Sequence, residues 1–208
     1  MLSKTLAATT LLVLTISAAC GQSTTVSFSA GPGEKDIFFN GLALPNGNQV
    51  EVGYFSPGFD VVGNTFNLPS LAAAWHSLGL DNITTIFGQS GRFAGTASTA
   101  DPNFAGNKIC LWIFKTSNNG APTPSSYANV QAYGLFSGSS ANWLFPAAGI
   151  PPGNMTSVTS SQADQAYFGL NNDPLHLVLN PVPEPSTLAL LAASAGSMVW
   201  FFRYRSRR

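Results

Sequence analysis

The chain has 208 residues, and charged side chains make up only 9% of them, against the rough quarter usual for soluble domains. Low charge together with 12% aromatic residues excludes a disordered chain, which needs the opposite balance. The zero formal net charge is split by position: residues 22–181 hold eight acids and four bases, and the other five bases sit at the two ends.

Residues 1–21 read as a secretory signal, with Lys4 as the positive start, Leu6 to Ile16 as the apolar run, and the small residues Ser17, Ala18 and Ala19 following. Cleavage after Ala19 or after Gly21 satisfies the small-residue rule. Cys20 adds a lipoprotein alternative, although Ser17 stands where such signals usually carry leucine. The secretion machinery is the partner this segment implies. Residues 22–181 then form one domain, long enough to bury a core without disulfides or metals.

Short β-type runs alternate with turn clusters through this domain. Thr24–Ser29 alternates around Val26 and Phe28, and Gln49–Phe55 around Val50, Val52 and Tyr54. Asn46-Gly47 before the second run favours a tight hairpin turn. Leu68–Gly79 carries Leu71, Ala74, Trp75 and Leu78 at helical spacing, with Pro69 near its start and Gly79 past its end. This predicts a short helix plugging one end of a sandwich. Residues 88–106 and 147–163 are rich in small and polar residues and predict surface loops. Lys108–Phe114 is the most apolar run and predicts a central strand buried on both faces. Further strands are expected at Ile83–Phe87, Val130–Phe136, Trp143–Phe145, Ala166–Leu170 and Leu175–Leu179. The expected fold is a mainly β, single antiparallel β-sandwich, jelly-roll-like, with one short helix. A signal helix and a C-terminal transmembrane helix flank it.

The tail has three parts in order. Val182-Pro183-Glu184-Pro185-Ser186-Thr187 comes first, then the uncharged run Leu188–Phe202, then the basic cluster Arg203, Arg205, Arg207 and Arg208. The prolines hold the first part extended, and Ser186 or Thr187 caps the following helix. A helix from Thr187 to Phe202 spans about 24 Å, short for a bilayer, a gap that snorkelling arginines make up. Their position orients the tail to the cytoplasm. This arrangement, over residues 182–208, resembles the PEP-CTERM sorting signal of bacteria that make extracellular polysaccharide, a tail also labelled ice-binding protein C-terminal domain. The resemblance implies an exosortase as partner, removal of the tail near the tripeptide, transient insertion in the inner membrane, and a cell-surface or matrix destination. A permanent single-span anchor is the alternative.

Chemistry-bearing residues are sparse. Residues 22–181 hold no basic, aromatic-interleaved patch of the kind phosphate backbones require, which excludes nucleic acid as a partner. His76 and His176 lack partners at metal-ligand spacing, so neither a metal nor a cofactor is expected. Cys110 lies in the most apolar run, as an inert thiol does. A disulfide to Cys20 is conceivable if that residue survives processing. Glu51 and Asp60 are the best available pair for a glycosidase, but scattered acids always offer some pair. An enzyme is not expected. Asn82-Ile83-Thr84 and Asn154-Met155-Thr156 match the glycosylation acceptor pattern. Of the aromatics Tyr54, Trp75, Trp112, Tyr127, Tyr133, Trp143 and Tyr167, Trp143 after the loop-like 137–142 segment is the choice for stacking a sugar ring. The leading reading is a non-enzymatic matrix protein with a structural or adhesive role. A carbohydrate-binding module comes second, and an extracellular polysaccharide hydrolase third.

Overall fold

The computed structural model describes residues 23–123, 127–149 and 153–182. The expected signal at 1–21, the residues from Pro183 through Pro185, the Leu188–Phe202 run and Arg203, Arg205, Arg207 and Arg208 lie outside the described residues.

In chain order the strands are β1 (Thr24–Ala30), β2 (Asp36–Phe39), β3 (Leu42–Ala43) and β4 (Gln49–Phe55), followed by helix α1 (Leu68–Ala74). Next come β5 (Trp75–Asn82), β6 (Thr84–Ile86), β7 (Gln89–Thr99), β8 (Cys110–Thr116) and β9 (Val130–Ser137). The remaining strands are β10 (Met155–Thr159), β11 (Gln165–Phe168), β12 (His176–Val178) and β13 (Asn180–Pro181). They form a four-stranded sheet in the order β10-β1-β7-β6 and a six-stranded sheet in the order β11-β9-β8-β4-β5 with β13 also on β9. A small sheet, β12-β2-β3, completes the set.

The chain is mainly β with one short helix, as expected, but its sheets are not all antiparallel. β1 pairs with β10 in parallel, and β2 pairs with β12 in parallel. The antiparallel expectation is corrected on this point. Inward side chains of both large sheets meet in one core: Val26, Phe28, Phe93 and Val158 from one, Val50, Val52, Leu111, Ile113 and Phe136 from the other. The alternation in β1 and β4 thus has its ordinary cause, one face of each strand turned to the core.

β8 is buried throughout its apolar run because the six-stranded sheet is covered on its other face too. Trp112, Phe114, Tyr133 and Phe168 form a second core there, closed by Leu68 and Leu71 of α1. The helix starts where the Asn67 side chain accepts the Ser70 N–H at 3.2 Å. It ends four residues earlier than its apolar spacing predicts, because Trp75 turns extended and enters β5. Pairing of Trp75 with Phe55 and of His76 with Tyr54 overrides a local helical pattern too short to stand alone.

Two expected loops contain strands. Residues 88–106 hold β7, the longest strand described, and residues 147–163 hold β10. β7 is written in small residues because neighbours crowd it. A Cβ on Gly95 would come within 2.5 Å of Phe28 Cζ, and one on Gly79 of β5 within 2.5 Å of Ala97 Cβ. Expected strand Trp143–Phe145 is instead a 3-10 turn, Ala141–Trp143, followed by a single bridge from Leu144 to Lys108. Asn46-Gly47 does turn, with Gly47 at φ +90°, but it joins β3 to β4, which do not pair with each other. Only Ile83 separates β5 in one large sheet from β6 in the other. An ion pair between buried Arg92 Nε and half-buried Asp36 Oδ1, 2.7 Å apart, ties β7 to β2 of the small sheet.

Candidate functional site

Trp143 is fully buried, so its ring presents no face to a sugar, and the stacking expectation is corrected. Its indole lies against the backbone of Gly138, where an added Cβ would come within 2.3 Å of Trp143 Cδ1. The glycine-bearing approach that looked like an open loop is the space the ring needs. Of the other aromatics considered, Tyr167 is half-buried beside Phe55, Phe59, Asn107 and Lys108, around a shallow groove.

Glu51 and Asp60 serve different local structures. Glu51 accepts from Gln49 Nε2 at 3.0 Å and from Trp75 Nε1 at 2.8 Å. Burial pushes its carboxyl above the usual carboxylate range, partly offset by hydrogen bonds from Trp75 and Ser77. Asp60 is exposed, and its Oδ1 accepts the Gly63 N–H at 2.9 Å to close a turn. His76 meets Ser56 Oγ at 2.9 Å and stacks on Tyr54, while His176 lies 3.0 Å from Asp173. Among the described residues no three His, Cys, Asp or Glu side chains are grouped to hold a metal ion. Cys110 is free and buried, its thiol pushed up to about 12 by desolvation. Asn154 is buried and donates to the Ser23 carbonyl at 2.6 Å, so that glycosylation acceptor is closed, whereas Asn82 is exposed.

A surface that single-sequence reading missed lies on the outer face of the four-stranded sheet. Strand register places Met155, Thr25 and Ser98 in one row, Ser157, Ser27 and Thr96 in the next, and Thr159, Ser29 and Ala94 in the third. Strands in such a sheet lie about 4.8 Å apart, and alternate residues along a strand about 6.6 Å apart. Cross-strand hydroxyl pairs join Thr25 to Ser98 at 3.0 Å and Ser27 to Thr96 at 3.1 Å. None of the nine positions is charged. Glu34 marks one end, where the Ser29 hydroxyl donates to its Oε2 at 3.1 Å. Each hydroxyl has one donor and two acceptor sites, so the paired ones keep capacity for a ligand.

A second functional feature is the last strand among the described residues. β13 pairs with β9, with Asn180 opposite Tyr133. Two residues after Asn180, the Val182 N–H donates to the Gln131 carbonyl at 2.9 Å, and the Val182 side chain packs on the second core. Strand alternation then turns the missing N–H of Pro181 away from β9, the place an edge strand tolerates proline. The described fold therefore continues as far as Val182.

A family model described as PEP-CTERM protein-sorting motif matches residues 181–208, the segment the sequence singles out. The match begins inside β13, so the domain's last strand and the sorting motif share residues. No curated protein and no solved structure matches the chain. The chain thus carries a PEP-CTERM sorting motif, which implies an exported protein held in the membrane until an exosortase processes it.

Proposed function

We propose that this domain is a non-catalytic adhesive or structural protein of the cell surface or extracellular matrix, built as a two-sheet sandwich. It is exported by its N-terminal signal, released from the inner membrane by exosortase, and holds neutral polysaccharide on the outer face of its four-stranded sheet. The observation that carries this reading is the uncharged hydroxyl grid on a domain that bears a sorting motif. A neutral polyhydroxyl polymer matches such a face, because hydroxyl groups exchange hydrogen bonds without desolvating a charge. Each exchanged hydrogen bond nets only about 1 kcal/mol, so a single sugar binds weakly and several rows must be engaged at once. Adhesion to an extended polymer suits that energetics better than capture of a small ligand.

A second reading places the sugar in the groove beside Tyr167, where an aromatic face and the Asn107 and Lys108 side chains meet. The two readings separate in a retention assay on immobilised neutral polysaccharides. Thr96→Lys with Ser27→Lys abolishes retention under the first, and Tyr167→Ala abolishes it under the second.

Destination is tested by the intact mass of the protein recovered from native cells. The expected outcome is a species outside the membrane that lacks the signal and the residues after the tripeptide. A full-length tail found only in the inner membrane contradicts the release step.

A further inference from the structure

Residues 56–67, between β4 and α1, cover the second core, yet Val62 is 64% and Phe66 is 69% exposed. Asp60 is the sole charged residue in that segment. Large apolar side chains exposed side by side mark a binding surface more often than a scattered single one does. The position of Phe66 relative to Val182 is fixed by contacts. Phe66 packs edge-on against Phe168 at 5.6 Å, and Phe168 stacks on Tyr133 at 4.3 Å. The Tyr133 hydroxyl donates to the Thr65 carbonyl. Tyr133 is also the residue opposite Asn180, two positions from Gln131, which holds Val182. Phe66 and Val182 border the same aromatic stack, and Val62 lies four positions before Phe66 in the same loop.

We infer that Val62 and Phe66 seat in the headgroup layer of a lipid bilayer while the tail is still attached. This rests on the reading that Leu188–Phe202 enters the membrane. Five residues, Pro183 to Thr187, separate Val182 from that run. Fully extended, the six steps reach at most about 20 Å. The headgroup layer takes up roughly 5–8 Å of this, so Val182 stays within about 15 Å of the bilayer surface. An apolar loop beside Val182 is held against lipid at high effective concentration, whereas a second copy of the chain has no such tether. Apolar side chains at that depth behave as those of an interfacial anchor. Seated this way, the loop sets the height at which the residues after Val182 meet a membrane-embedded sorting enzyme.

The test uses the chain without its signal, residues 22–208, reconstituted in phosphatidylcholine vesicles, with a polarity-sensitive fluorophore on Val62→Cys. Buried Cys110, its thiol pushed up to about 12, does not compete for the label. The control site is Phe87→Cys, 87% exposed in the β6–β7 turn. The expected result is a blue shift at position 62 and loss of most of its emission to shallow spin-labelled lipid, with position 87 unaffected. Vesicle flotation reports tail insertion separately. A chain that floats while its position 62 label stays water-like overturns the docking but leaves insertion standing. A chain that fails to float overturns both. Equal quenching at 62 and 87, or disulfide cross-linking between unlabelled position 62 cysteines of two copies, also overturns the docking.

Discussion

The outer face of the four-stranded sheet and the covered face of the six-stranded sheet are both made of strand residues at alternate positions, but with opposite content. On the first, seven of nine neighbouring positions are Ser or Thr, and none of the nine is buried. On the second, Trp112 is fully buried, with ring centroids of Phe114 at 4.8 Å, Trp75 at 5.4 Å and Phe55 at 5.9 Å. One face has its stability in cross-strand hydroxyl pairs, each contributing at most about 1 kcal/mol. The other buries several aromatic rings, each able to bury 150–250 Å² as a rough measure. The lesson is that α1 and residues 56–67 exist to cover an apolar face, while the hydroxyl face is left open because water, or a polymer resembling water in its hydrogen bonding, satisfies it.

The contrast breaks most visibly at Trp112. Trp112→Ala leaves a cavity under α1 and costs about 3–5 kcal/mol in chemical unfolding. A cost below about 1 kcal/mol would mean that the second core is not packed as described. A smaller effect sharpens the same face. Burial raises the Glu51 pKa in the folded state, so the proton is held more tightly there than in the unfolded chain. Its contribution is therefore fully present below the unfolded pKa and is lost as pH rises through the folded value. Glu51→Gln gains stability relative to the parent between acidic and neutral pH, and melting temperatures across that range measure it. A difference that is flat with pH would show that the carboxylate is not desolvated. Smallest of all, Thr96→Ala on the open face changes stability by no more than about 0.5 kcal/mol. A larger loss would mean that the hydroxyl grid is structural.

How far each face could be read from the sequence follows from how it is built. β1 and β4 alternate large apolar with polar residues, so the core-facing side of each announces itself. β8 is a continuous apolar run and was legible as a strand buried on both faces. β7 alternates too, but between residues such as Gly95, Ala97, Thr96 and Ser98, whose hydrophobic contrast is too slight to register. Its small residues answer to Phe28 and β5, which are distant in sequence. The hydroxyl grid was invisible for a related reason: residues 25–29, 94–98 and 155–159 are brought together by an antiparallel and a parallel pairing that no local pattern encodes. Trp143 was misplaced because Gly138 makes room for an indole rather than opening a loop. The sorting motif was readable, since its tripeptide, apolar run and arginines are contiguous and the family match covers the same stretch.

The central claim is that the open hydroxyl face, and not the aromatic face, meets the polymer. It is tested most directly by retention of the folded protein on neutral polysaccharide from the native matrix, comparing the parent with the Ser27→Lys, Thr96→Lys double variant. Two lysines placed directly opposite each other at the centre of the grid lower the melting temperature modestly through like-charge repulsion, leave the chain folded, and abolish retention if the claim holds. Retention equal to that of the parent, with the fold intact, would contradict it.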